Sequence, residues 1–313
     1  MTAIDAVTPG LPLLVGGLVL PLVGPRARAV LVLGLPLLSL GLVWQVSDGV
    51  ALEIPFLDYA LEPVRGDRLS RLFGTIFAIM AFAGGLFALN RTRVVELVAA
   101  FVYAGSAIGA AFAGDLLSLF VFWETMAIAS TLVVWSAFSD GSYQASMRYL
   151  MVHLLGGVVL LVGIVGHVSE TGSLAFTAMQ IDGLAEWLIL GGFLLNAGAP
   201  VLSAWLPDAY PEASPSGMVF LSAFTTKTAV YALLRGFPGV ELLVFVGLFM
   251  MFYGIVYALL ENDMRRILAY SIVNQVGFMV CGIGIGTEMA LNGSAAHAFT
   301  HIIYKALLLM AAG

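Results

Sequence analysis

Residues 222–235 read "SAFTTKTAVYALLR". Nearly every position is small or apolar, as in a helix that sits in lipid, yet Lys227 stands in the middle. The 313-residue chain has only two lysines, Lys227 and Lys305, and eleven arginines. All the arginines fall at or near the ends of apolar runs, and both lysines fall inside them. Of the 19 acidic residues, only Glu124 lies well inside such a run, in "LLSLFVFWETMAIASTLVVW". A charge at mid-bilayer costs about 2.5–3.5 kcal/mol on insertion scales. These few charges must therefore face a protein interior or a water-filled cavity.

The composition sets the class. The chain is 61% hydrophobic and 10% charged, against roughly a quarter charged in soluble domains. The lone Cys281 excludes an intramolecular disulfide. The net charge of -6 comes mostly from loop carboxylates, and no basic stretch suggests nucleic acid. The N-terminus "MTAIDAVTPG" carries Asp5 and no Lys or Arg, unlike the positive start of a cleaved signal. The first apolar run is thus expected to be a retained membrane helix.

A membrane-crossing helix needs about 20 apolar residues. Eleven candidate spans follow: 9–24, 28–46, 69–89, 94–113, 115–137, 148–168, 184–204, 215–234, 238–260, 266–285 and 289–313. The expected fold is an all-α polytopic membrane protein. The longest gap, 47–68, holds five carboxylates and reads as an ordered surface loop. Alternate loops carry Arg26, Arg28, Arg91, Arg93, Arg148, Arg265 and Arg266, whereas the opposite set carries Arg65, Arg68, Arg71 and Arg235. The positive-inside rule then places the N-terminus outside a cell inner membrane.

The last span contains "HAFTHIIYK". His297, His301 and Lys305 are spaced i, i+4, i+8, which stacks them along one helix face, about 6 Å per step. Histidine exchanges protons near neutral pH, and lysine does so when burial lowers its proton affinity. The row therefore has the geometry of a proton relay. A lone intramembrane lysine can instead be the structural partner of a carboxylate, and a lone histidine is often a hydrogen-bonded packing residue. His153 stands alone early in its span and reads as interfacial, and His167 at a span end reads as solvated. No zinc set is present, because no Glu follows His297 as a metalloprotease helix requires. There is no phosphate-cradling glycine loop, no cofactor is expected, and the dispersed glycines suit close helix packing.

"NAGAPVLSAWLPDAYPEASPSG" interrupts the apolar pattern. Pro200 removes an amide donor within the seventh span, so a break is expected there. Broken helices in transporters expose backbone dipoles to an ion path, although a proline kink can also be simple packing. Pro207, Pro211 and Pro215 stiffen the connection that follows.

Five segments, "FVFWETMAIAS", "AWLPDAYPEASPSG", "LSAFTTKTAVYALLR", "NDMRRILAYSIVNQVGFM" and "HAFTHIIYKALLLMAAG", resemble the proton-translocating antiporter-like membrane subunits. That family is shared by respiratory complex I, membrane-bound hydrogenases and the multisubunit Mrp-type sodium/proton antiporters. The wording of "TTKTAVYALLR" and "RRILAYSIVNQVGFM" is most similar to the MrpD branch of the Mrp antiporters. The resemblance implies a bundle of about fourteen helices built on two inverted five-helix repeats, each with a broken helix. It implies an N-terminal three-helix segment over 1–93, a first repeat or half-channel over 94–236, and the start of a second repeat over 237–313. Glu124 matches the family's fifth-helix glutamate and Lys227 its central eighth-helix lysine. His297, His301 and Lys305 match the His/Lys row of the eleventh helix, which links two half-channels.

Two departures stand out. Counting back nine residues from Trp205, where many members carry a lysine, gives Asn196. Asparagine cannot pair as a cation with Glu124, so the usual Glu–Lys switch is expected to be absent or rewired, with Asn196 holding water or bonding the carboxylate. The chain also stops in the eleventh helix at an apolar end, which leads us to expect a C-terminal truncation. The resemblance implies a subunit of a cation/proton antiporter, exchanging protons for sodium with other membrane subunits as partners. The competing readings are a proton-pumping subunit of a complex I-like NADH:quinone oxidoreductase or hydrogenase, and a purely structural subunit. With no cluster-binding cysteines, this chain itself holds no iron–sulfur centre.

Overall fold

The computed structural model describes residues 7–89, 92–200 and 203–313. The sequence expectations on Asp5 and Arg91 lie outside the described residues. Helix α1 (Leu11–Val19) is short and runs into a 3-10 turn over Leu20–Leu22. Helix α2 (Pro25–Gln45) follows. Where an ordered surface loop was expected, the order takes the form of a two-stranded antiparallel hairpin that pairs β1 (Gly49–Phe56) with β2 (Tyr59–Gly66). Its turn is made by Leu57, at φ 52°, and Asp58.

Helices α3 (Arg68–Ala88), α4 (Val94–Phe112), α5 (Leu116–Trp135) and α6 (Asp140–Thr171) are continuous. Helix α6 begins eight residues before the expected span, so Arg148 lies within it rather than at its start, paired with Asp208 at 2.7 Å. The next two spans are interrupted. Helix α7 (Leu184–Ala197) stops at Gly198, which takes a left-handed φ of 77°. Pro200 lies in the turn beyond, so the expected break is present but glycine, not proline, ends the helix. A short α8 (Trp205–Ala209) resumes the path.

The eighth span is also divided, into α9 (Pro215–Ala223) and α10 (Thr225–Gly236), with Phe224 at φ -107° and ψ -65° between them. Helices α11 (Leu242–Leu260), α12 (Met264–Ile285) and α13 (Glu288–Ala312) complete the chain. Among the described residues, nine helical segments are long and apolar enough to cross a membrane, counting α9 with α10, and α1 and α7 are shorter apolar helices. Together they occupy the eleven expected spans.

Small residues let the helices approach closely. Helices α11 and α12 pack so tightly that a Cβ on Gly247 would meet the amide of Cys281 at 2.5 Å. The helix ends are tied by polar contacts. On one face of the bundle, Arg65 of the hairpin donates to the carbonyls of Phe176 (2.7 Å) and Gly114 (3.4 Å). Asp115, which caps α5, accepts the Glu62 amide at 2.7 Å. Arg235 donates to Asp67 at 2.6 Å on the same face. On the opposite face, Glu96 accepts from Ser214 and Ser216, each at 2.6 Å, and from Ser136 at 3.2 Å.

Candidate functional site

The middle of the bundle is built around the interruption at Phe224. A helix broken in lipid must have its freed backbone groups satisfied by protein. Two tyrosines supply the partners. The Thr225 amide donates to the Tyr103 hydroxyl at 2.8 Å, and the Tyr210 hydroxyl donates to the Leu221 carbonyl at 2.8 Å. The Ser222 carbonyl is taken by Lys227, whose Nζ donates to it at 2.7 Å and to Thr226 Oγ1 at 3.1 Å. Lys227 is 0% exposed. No carboxylate contacts its ammonium among the described residues.

Helix α13 packs on both halves of the interrupted span, α9 and α10. It presents His297, His301 and Lys305 as the spacing predicts. The two imidazoles lie nearly parallel, their centroids 6.0 Å apart and their planes at 18°. His301 is fully buried, and neither ring nitrogen has a hydrogen-bond partner among the described residues. The same holds for Nε2 of the half-buried His297 and for Oγ1 of Thr228, one residue past Lys227. Lys305 Nζ donates to Ser271 Oγ of α12 at 2.8 Å. The half-span that carries Lys227, α10, thus packs directly against the helix that carries the row.

A second polar group surrounds α6. The Glu124 carboxylate of α5 lies against Gly157, where a Cβ would collide with Oε1. Oε1 is buried without a partner among the described residues. Asn196, in the last turn of α7, is fully buried, and its amide oxygen and nitrogen are likewise unpartnered among them. The expected hydrogen bond from Asn196 to Glu124 is therefore not made.

Sequence reasoning passed over His153. It is buried, 1% exposed. Its ring stacks on Tyr149 (3.9 Å, 21°) and meets Trp205 edge-on (4.6 Å, 80°). A signal was available, because Tyr149, His153 and Gly157 repeat the same i, i+4, i+8 spacing as the row on α13. The Tyr149 hydroxyl donates to Ser130 at 3.0 Å and lies 3.3 Å from Thr225 Oγ1, which lies 2.5 Å from the Tyr103 hydroxyl. His167 is not free in solvent either, since Nδ1 is 2.7 Å from the Glu186 carboxylate.

Known proteins share this arrangement of helices. Residues 113–313 match the family model described as "NADH:quinone oxidoreductase/Mrp antiporter, TM". The chain is 29% identical over 309 residues to the D-type subunit of the Na(+)/H(+) antiporter of Alkalihalophilus pseudofirmus, covering 90% of this chain and 59% of the relative. It is 30% identical over 237 residues to the M-type subunit of the NADH-quinone oxidoreductase of Pseudomonas aeruginosa, covering 67% and 47%. Its fold superposes on a chain of the Mrp complex from Dietzia sp. DQ12-45-1b with a TM-score of 0.84 and 25% identity, over 99% of this chain and 64% of the other. The chain thus spans about half to two thirds of the length of these relatives.

Proposed function

Because the chain belongs to the NADH:quinone oxidoreductase/Mrp antiporter transmembrane family, we propose that it is a proton-translocating subunit of a multisubunit cation/proton antiporter. Sodium is the exchanged cation in this reading, which the similarity to a sodium/proton antiporter subunit supports. The partners are other membrane subunits of the same assembly. The observation that carries the proposal is Lys227, wholly buried at a helix break against which α13, the helix of the His/Lys row, is packed.

An ammonium has three donors. The Ser222 carbonyl and Thr226 hydroxyl take two of them, which leaves one to hand on. His301 has two ring nitrogens without partners among the described residues. One can accept a proton while the other releases one, as relay requires. Glu124, Asn196 and Lys227 line the first half-channel, over 94–236, and His297, His301 and Lys305 lead out of it toward a second that begins in 237–313. With the N-terminus outside, protons enter from the cytoplasmic side near the break after α7 and Pro200. A charge moving near Lys227 changes its proton affinity and so gates transfer.

The test is proton flux in a dye-quenching assay, using the complete complex in proteoliposomes. Lys227→Ala removes the flux, and full flux in that variant would sink the role given to the lysine. Sodium-dependent exchange without NADH or ferredoxin supports the antiporter reading. The similarity to an NADH-quinone oxidoreductase subunit favours a second reading, a redox-driven pump, which copurification with iron–sulfur or quinone-binding partners would establish instead.

A further inference from the structure

We infer that His153 is a proton-accepting residue of the first half-channel, standing between Glu124 and Lys227. The inference rests on the function proposed above, because Lys227 is the next proton site in line.

The tautomer is the first argument. His153 Nδ1 lies 2.9 Å from the backbone carbonyl of Tyr149. A carbonyl only accepts, so Nδ1 carries the hydrogen. In the neutral ring Nε2 then presents a lone pair. Nε2 is buried and has no hydrogen-bond partner among the described residues. The ring therefore offers one free base, at a nitrogen that can bind a proton and release it without breaking the bond at Nδ1.

Its surroundings supply both a donor side and an outlet. One turn further along the same face of α6 is Gly157, about 6 Å away along the helix, against which the Glu124 carboxylate is packed. From α7, Leu195 lies over Gly156, and its carbonyl holds the Trp205 indole that meets the His153 ring. Asn196, with both amide atoms unpartnered among the described residues, is the next residue. Glu124 Oε1, Asn196 and His153 Nε2 are thus all buried polar atoms without partners among the described residues, the kind of group an internal water serves. On the other side, the Tyr149 ring is stacked on His153 and its hydroxyl reaches Thr225. Thr225 adjoins Thr226, whose hydroxyl accepts from Lys227.

The packing alternative meets a difficulty of magnitude. Leaving a buried polar atom unpaired costs roughly 1–3 kcal/mol. A phenylalanine would fill the stack between Tyr149 and Trp205 without that cost. The remaining titratable groups on the packed elements are engaged elsewhere: Asp208 just beyond is held by Arg148, Glu186 of α7 by His167, and Tyr210 by the Leu221 carbonyl. Of the ionisable groups left, Tyr149 on α6 itself stacks on His153, and Glu124 of α5 lies against Gly157 one turn away.

The experiment compares wild type, His153→Asn, His153→Phe and Lys227→Ala in the complete complex in proteoliposomes, with proton flux read across the pH range. Asparagine keeps a donor for the Tyr149 carbonyl and phenylalanine keeps the ring stack, but neither is a base. Both variants assemble as wild type, lose flux by about a hundredfold or more, and lose the acid limb of the pH profile. Wild-type flux with an unchanged profile in either variant overturns the inference. If Lys227→Ala abolishes flux and His153→Phe is normal, only the role of His153 falls; if Lys227→Ala transports, the functional reading itself falls. Should both His153 variants fail to assemble, wild-type complex with 15N-labelled histidine decides by solid-state NMR. A His153 Nε2 that takes up a proton on acidification supports the role, and one that stays unchanged overturns it.

Discussion

Lys227 closes the break in its own helix: its Nζ donates to the Ser222 carbonyl five residues back, 2.7 Å away. The lysine that is proposed to carry protons is thus also a structural partner of the backbone that holds it. Deprotonation would remove the charge from that bond, so the proposed proton transfer would be coupled to helix geometry at this point. Thr226 is the second acceptor, at 3.1 Å. Hydrogen bonds to charged groups contribute about 1.5–3 kcal/mol. Thr226→Val, which keeps the shape and removes the acceptor, should slow proton flux severalfold where Lys227→Ala abolishes it. Flux assays on the two reconstituted variants check this, and equal loss would mean the threonine acts through packing.

Gly157 makes room for a carboxylate rather than for a neighbouring helix. Gly157→Ala must displace Glu124, whereas a Cβ on Gly191 would meet only Val159, at an ordinary 3.9 Å. Overpacking of this kind costs about 1–3 kcal/mol. Gly157→Ala should therefore lower both the melting temperature in detergent and the proton flux, with Gly191→Ala near wild type in both.

The environments of His301 and His167 separate transport from stability. His301 has no hydrogen-bond partner among the described residues, while His167 is paired with Glu186. His301→Ala should reduce flux strongly with little change in assembly. His167→Ala should lower thermal stability and leave most of the flux. Equal effects on flux would return the α13 row to a packing role.

The pair of Asp67 and Arg235 predicts an acid limit. Burial alone would raise the Asp67 carboxyl, but the Arg235 guanidinium and the bonds from Ser70 outweigh it and hold it below its ordinary 3.8. A carboxyl depressed in the fold adds stability that is fully present above its unfolded value and is lost as pH falls through the folded one. Melting temperature in detergent should accordingly fall as the pH is lowered through 3.8 and beneath it. Asp67→Asn should be less stable at neutral pH and flatter across that window.

The spans were legible because hydropathy is a long-range signal, and the segregation of two lysines from eleven arginines marked the interior. Lys227, His301 and Lys305 were found by that route, and each is buried. The break at Phe224 was not legible. Neither proline nor glycine stands at 223–225. The break exists because hydroxyls from Tyr103 and Tyr210, over a hundred and about a dozen residues away, capture its backbone. The hairpin was missed for a similar reason, since "LD" is not a strong turn pair and the strands are fixed by contacts to Gly114, Asp115 and Phe176. His153 was discounted because a solitary histidine gives no periodic signal until Tyr149 and Gly157 are read with it.

The hairpin strapped across one face and the serine-bound Glu96 on the other leave the bundle with stiff ends. The continuity of its helices is broken between those ends, where α7 stops and α9 gives way to α10. If the chain moves protons as proposed, the bundle need not rock as a whole to open one side and then the other. Small, local shifts at these two joints suffice, and the outer surface can stay still.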